Sequence, residues 1–119
     1  MKEYKMICVD DQLGIRILLN EIFKDEYEVV MADSGSKAIN LVKDFQPDVV
    51  LLDVKLGDMN GADVLGTINS INSNIKTIVM TGYNDDESLK RVEKLKPHMI
   101  INKPFDVNDI RSKVKEILY

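Results

Sequence analysis

Asp48-Val49-Val50-Leu51-Leu52-Asp53 is an apolar run too short for a helix, preceded by Pro47 and closed by a carboxylate. Four consecutive Val and Leu residues without a polar position read as a strand covered on both faces, the pattern of a parallel sheet. Residues 4–9, 27–32, 76–80 and 99–101 read as four further short strands, rich in Val, Ile and Met and bounded by Asp, Gly or Pro. Helical patterns lie between them. Ile15, Leu18, Leu19, Ile22 and Phe23 recur at i, i+3, i+4, i+7 and i+8, and Val107, Ile110, Val114, Ile117 and Leu118 form a second stripe at i, i+3, i+7, i+10 and i+11. Residues 36–45, 61–71 and 85–95 are less regular helices, the middle one weakened by Gly66 and Thr67.

Five strand–helix units with right-handed crossovers predict an α/β fold, a flavodoxin-like (βα)5 three-layer sandwich. In that topology the parallel sheet runs 2-1-3-4-5, and ligands bind where strand order reverses, at the C-terminal ends of the first and third strands. The 119 residues suffice for one domain over 1–119, burying roughly two-thirds of the surface of the unfolded chain. Apolar and charged contents of 45% and 30% place it among ordinary globular proteins rather than disordered ones. The net charge of -4 offers no basic stripe for nucleic acid. Lys90, Arg91, Lys94 and Lys96 are interleaved with Glu87 and Glu93 and read as a solvated helix face. No run reaches the length of a signal peptide or a membrane span, so a cytoplasmic protein with no membrane contact is expected. Cys8, the only cysteine, sits in an apolar strand and reads as a small buried hydrophobe. His98 has no Cys or His companions that would make a zinc site.

The polar residues that end the strands carry the chemistry. Asp10 and Asp11 close the first, Asp53 the third and Thr81 the fourth, while Lys103 follows the fifth. Each has an ordinary explanation alone, as a helix cap, a strand end or a loop lysine. Together they bring three carboxylates, one hydroxyl and one ammonium to the edge where this topology binds ligands. Three adjacent carboxylates repel, and a hard divalent cation such as Mg²⁺ removes the conflict with oxygen ligands and few protein groups. No Walker loop, dinucleotide fingerprint or nucleophile elbow occurs. The remaining nucleophile is a carboxylate, which can form an aspartyl-phosphate.

In Asp10-Asp11, Leu51-Leu52-Asp53, Met80-Thr81-Gly82 and Lys103-Pro104-Phe105 the chain resembles the receiver domains of bacterial two-component response regulators, over nearly its whole length. The resemblance implies that Asp53 accepts a phosphoryl group from a sensor histidine kinase or histidine phosphotransferase. It also implies that Asp11, Asp53 and the Lys55 carbonyl bind Mg²⁺, that Asp10 acts through water, and that Thr81 and Lys103 face the phosphoryl group. Lys103-Pro104 is a cis peptide in the family. Asp10 to Glu21, with Lys55 and Tyr83, looks most like its stand-alone sporulation-relay members. The receiver half of a longer transcription factor remains open, as does a small phosphohydrolase, which lacks an acid/base carboxylate at Lys55. A monomer or a phosphorylation-dependent dimer is expected. Gly14, Ile15, Leu18, Pro104 and Phe105 should form an apolar rim that docks the histidine-bearing partner. The chain departs from the family at three places. Gly57 replaces the usual proline and should loosen its loop, Lys96-Pro97 replaces Gly-Ala, and Ile100 replaces the switch aromatic.

Overall fold

The computed structural model describes residues 2–82 and 86–119. Strands and helices alternate: β1 Lys5–Val9, α1 Leu13–Phe23, β2 Glu28–Ala32, α2 Gly35–Phe45, β3 Val49–Asp53, α3 Gly61–Ile71, β4 Lys76–Thr81, α4 Asp86–Lys94, β5 Met99–Asn102 and α5 Val107–Leu118. All strands pair in parallel in the order β2-β1-β3-β4-β5. The expected elements are present within one or two residues of their anticipated ends. The anticipated first residue of α4, Asp85, and also Tyr83, lie outside the described residues.

Strand side chains alternate between faces, and this sorts the apolar residues into two layers. Ile7, Val9, Val50, Leu52 and Val79 pack with Ala38, Val42, Val64, Leu65, Ile68 and Val92 from α2, α3 and α4. On the opposite face Met6, Cys8, Val49, Leu51, Ile78 and Met80 meet Leu19, Ile22 and Phe23 of α1 and Ile110 and Val114 of α5. All five residues of β3 are buried, as an apolar run at the centre of a doubly covered sheet requires. The Cys8 thiol is buried and its pKa is raised by burial first and by the Asp10 charge second.

Helices α2 and α4 are each followed by a non-glycine residue in the left-handed region, Gln46 at φ 53° and Lys96 at φ 54°, with a proline next in both cases. A left-handed residue turns the chain out of a helix, and the proline prevents its continuation. Lys96 thus occupies a conformation suited to glycine, which explains the family's preference there. Lys96→Gly is expected to stabilise the protein by about 1 kcal/mol, measured by urea unfolding. Ile100 is half-buried and packs on the α2–α4 side of the sheet. Among the described residues no helix is long and apolar enough to cross a membrane. Lys90, Arg91, Lys94 and Lys96 are exposed, and Arg91 pairs with Asp63 at 2.6 Å. His98 is exposed, its Nδ1 accepting from the Thr77 backbone N–H at 3.1 Å.

Candidate functional site

Because the strands are parallel, their C-terminal ends lie along one edge, and the register fixes which residues meet there. Val9 pairs with Leu52, Asp53 with Met80 and Thr81 with Asn102. Asp10 follows β1 directly, so it emerges beside the end of β3. One carboxylate oxygen each from Asp10, Asp11 and Asp53 lie within 4.8 Å of one another. Asp10 is fully buried, Asp53 and Thr81 are nearly so, and Asp11 is exposed at the mouth.

Each Asp10 oxygen has a partner. Oδ1 accepts from the Gln12 backbone N–H at 2.9 Å, a local turn that starts α1, and Oδ2 accepts from Lys103 Nζ at 2.7 Å. Lys103 Nζ also lies 3.3 Å from Asp53 Oδ2. Its loop follows β5, with the Lys103 N–H donating to Thr81 O at 2.7 Å and Lys103-Pro104 cis, as the family resemblance implied. Burial lifts the Asp53 pKa to about 6, the Asp10 charge adds to the rise, and Lys103 opposes it. For Lys103 burial works against the charge. Its bond to Asp10 and the nearby carboxylates outweigh that and raise the pKa.

One ammonium is therefore shared between the Asp10 and Asp53 carboxylates, and burial together with the Asp10 charge destabilises ionised Asp53. Hard oxygen donors in this arrangement suit a divalent cation, which would offset the charge that Lys103 leaves uncompensated.

Two features of the site were not anticipated from the sequence. Arg16, one turn into α1, donates from Nη1 to the Asp10 carbonyl at 2.9 Å, a reach back from helix to strand that no local pattern signals. Asp58 caps α2 from the β3–α3 connection, Oδ1 accepting from Gly35 N–H at 2.8 Å and Oδ2 from Ser36 N–H at 3.0 Å. These bonds lower its pKa. The lack of an acidic residue in the first turn of α2 was the available signal, since a helix start attracts an anion. The connection expected to be loose at Gly57 is thus anchored at the next residue.

Gly61 opens α3 against the end of β3. A Cβ there would lie 2.5 Å from Val54 O and 2.6 Å from Asp53 O. Both are backbone atoms that cannot rotate aside, and the Gly61 N–H already donates to Val54 O at 2.7 Å. Gly61→Ala is expected to lose roughly 1–3 kcal/mol in urea unfolding, because α3 must withdraw from the strand that carries Asp53.

At the rim, Gly14 and Pro104 are exposed while Ile15 and Phe105 are half-buried against the α1–α5 layer. Leu18 is 39% exposed, and α1 further presents Ile17 at 56% and Leu13 at 62%. The apolar surface on α1 exceeds what packing uses, as expected from the position of Ile17 off the buried stripe, and Leu13 adds to it.

A five-stranded parallel sheet of this order, with an Asp triad and a lysine at its switch point, defines a phosphorylation receiver. Residues 6–115 match the response regulator receiver domain family, and the chain belongs to it. It is 40% identical over 119 residues to sporulation initiation phosphotransferase F of Bacillus subtilis (strain 168), covering 99% of this chain and 96% of that protein. It is also 29% identical over 115 residues to regulatory protein AtoC of Escherichia coli (strain K12), covering 96% of this chain and 25% of that longer protein. The crystal structure of a CheY-like response regulator receiver domain protein from Methanospirillum hungatei JF-1 superposes with a TM-score of 0.92 at 27% identity, covering 97% and 93% of the two chains.

Proposed function

We propose that residues 1–119 act as one receiver unit in which Asp53 accepts a phosphoryl group from a histidine of a sensor kinase or a phosphotransferase. The observation that carries this is the meeting of the Asp10, Asp11 and Asp53 oxygens within 4.8 Å with Lys103 at 3.3 Å from Asp53, at the sheet's switch point. A carboxylate oxygen of Asp53 forms a bond to phosphorus as the bond from phosphorus to the donor nitrogen breaks, the electron pair remaining on that nitrogen. With a pKa of about 6, the attacking carboxylate is ionised at neutral pH. Lys103 and the Thr81 hydroxyl meet the oxygens of the transferred group, where positioning and charge do most of the work. Asp11, Asp53 and the Lys55 carbonyl would hold Mg²⁺, with Asp10 acting through water. When bound, Mg²⁺ would offset charge on the transferring oxygens. The protein assists its own phosphorylation and works as a switch or relay rather than as a turnover enzyme.

The rim of Gly14, Ile15, Leu18, Pro104 and Phe105 borders this pocket and suits docking of the donor's helix, with Leu13 and Ile17 extending it. The 40% likeness to a phosphotransferase of comparable length supports a relay role. The AtoC likeness, confined to a quarter of that protein, is the observation behind a second reading, the receiver part of a longer regulator.

Acetyl phosphate with Mg²⁺ tests the acceptor. Intact-mass analysis is expected to show one phosphate on the wild type, none on Asp53→Asn, and none when a chelator replaces Mg²⁺. Labelling that persists in Asp53→Asn would move the acceptor elsewhere.

A further inference from the structure

The connection between β3 and α3, residues 54–60, is fastened at both ends. The Val54 N–H donates to Met80 O at 3.1 Å, and Lys55 and Asn60 form an antiparallel bridge. Gly57 stands at the middle, where the receiver family usually has proline. No glycine among the described residues has a positive φ, and a Cβ on Gly57 would meet nothing within 4 Å. The Gly57 N–H makes no hydrogen bond among the described residues. Glycine is therefore required neither by backbone conformation nor by space, and its main effect is to add freedom to the connection.

The next two residues supply the restraint. Asp58 accepts from Gly35 N–H, from Ser36 N–H and, through Oδ2 at 3.1 Å, from the Ser36 hydroxyl. With Ser34 Oγ accepting from the Lys37 N–H at 3.2 Å, the N–H groups of Gly35, Ser36 and Lys37 are all met, two of the three by Asp58. Met59 lies against the same turn. A Cβ on Gly35 would come within 2.9 Å of Met59 Sδ, so the absence of a side chain at 35 lets the connection sit down on α2.

We propose that Asp58 is a positioning residue for the cation site. By clamping the β3–α3 connection to the start of α2, it holds the Lys55 carbonyl in place and supplies the restraint that a proline at position 57 would otherwise give. This rests on the reading that Asp53 and Lys55 help to hold Mg²⁺.

Four proteins test it: wild type, Asp58→Ala, Ser34→Ala, and Asp58→Ala combined with Gly57→Pro. The readouts are Mg²⁺ affinity by titration calorimetry and amide hydrogen exchange of residues 55–60 in chelator. Asp58→Ala is expected to speed that exchange and to weaken Mg²⁺ binding about fivefold, the scale of restoring freedom to a short loop. Ser34→Ala removes the other cap of α2 and is expected to lower Tm while leaving both readouts unchanged. Adding Gly57→Pro to Asp58→Ala is expected to return the affinity to within about twofold of wild type. Wild-type affinity in Asp58→Ala, equal weakening in Ser34→Ala, or no recovery with proline would each overturn the positioning role alone. A wild type that binds no Mg²⁺ at millimolar concentration would overturn the cation site and this inference with it.

Discussion

Lys103→Met is expected to cost the metal-free protein about 3 kcal/mol, the scale of breaking a buried ion pair by removing one partner. Lys103 Nζ sits 2.7 Å from Asp10 Oδ2 and 3.3 Å from Asp53 Oδ2, and Asp10 is fully buried. Methionine retains the aliphatic stem but not the ammonium, so packing changes little while two inward-facing carboxylates lose their counter-charge. A divalent cation bound only by the folded chain stabilises by mass action. It should do so more in the variant, where the carboxylates have greater need of it. Urea unfolding in chelator and in millimolar Mg²⁺ separates the two effects. The variant should regain much of its deficit with Mg²⁺, and a loss well under 1 kcal/mol in chelator would show that the cluster does not depend on an internal cation.

Asp53→Asn should act in the opposite direction on stability. The Asp53 pKa rises from 3.8 to about 6 on folding. A carboxyl whose folded pKa lies above its unfolded value favours the native state in its protonated form. That contribution is complete below about pH 3.8 and is lost as pH rises through about 6. The shift corresponds to roughly 3 kcal/mol at 1.36 kcal/mol per pH unit. Asparagine has nearly the same shape and no charge to desolvate. In chelator at pH 7 the variant is expected to melt on the order of 10 °C above the wild type, with the gap closing as pH falls towards 4. A constant gap across that range would place its cause in packing rather than in ionisation. The acceptor chemistry proposed for Asp53 thus requires a carboxylate at a position where the resting fold would be more stable without its charge.

Most of this architecture was legible because apolar runs and amphipathic stripes report burial directly. The run at 48–52 predicts a doubly covered strand, and β3 at Val49–Asp53 is that strand. The approach of Asp10, Asp11, Asp53 and Lys103, with Thr81 at the end of the strand beside β3, follows from topology, since parallel strands deliver their C-terminal ends to one edge. Specific polar partners were not legible. That Lys103 pairs with Asp10 more closely than with Asp53 depends on side-chain reach across a loop, and Arg16 returns to the Asp10 carbonyl from within a helix. The loosening expected at Gly57 considered one residue in isolation, whereas Asp58 is held by an element that lies more than twenty positions earlier in the chain. On α1, Ile17 lies off the buried stripe and is exposed as the periodicity indicates, whereas the exposure of Leu13 in the first turn had no such signal.

Placing α1 and α5 in one layer also constrains how the chain can fold during its synthesis. Leu19, Ile22 and Phe23 share their cluster with Ile110 and Val114, and β1 gains its second partner only with Val49–Asp53. A ribosome-bound chain that has emerged only as far as β5 has its sheet but lacks the cover for half of that face. Such an intermediate exposes apolar surface, a feature that makes nascent chains prone to aggregation. The first helix of the receiver unit is therefore among its last to be sealed, and the twelve residues of α5 decide whether the apolar residues beneath them are kept from water.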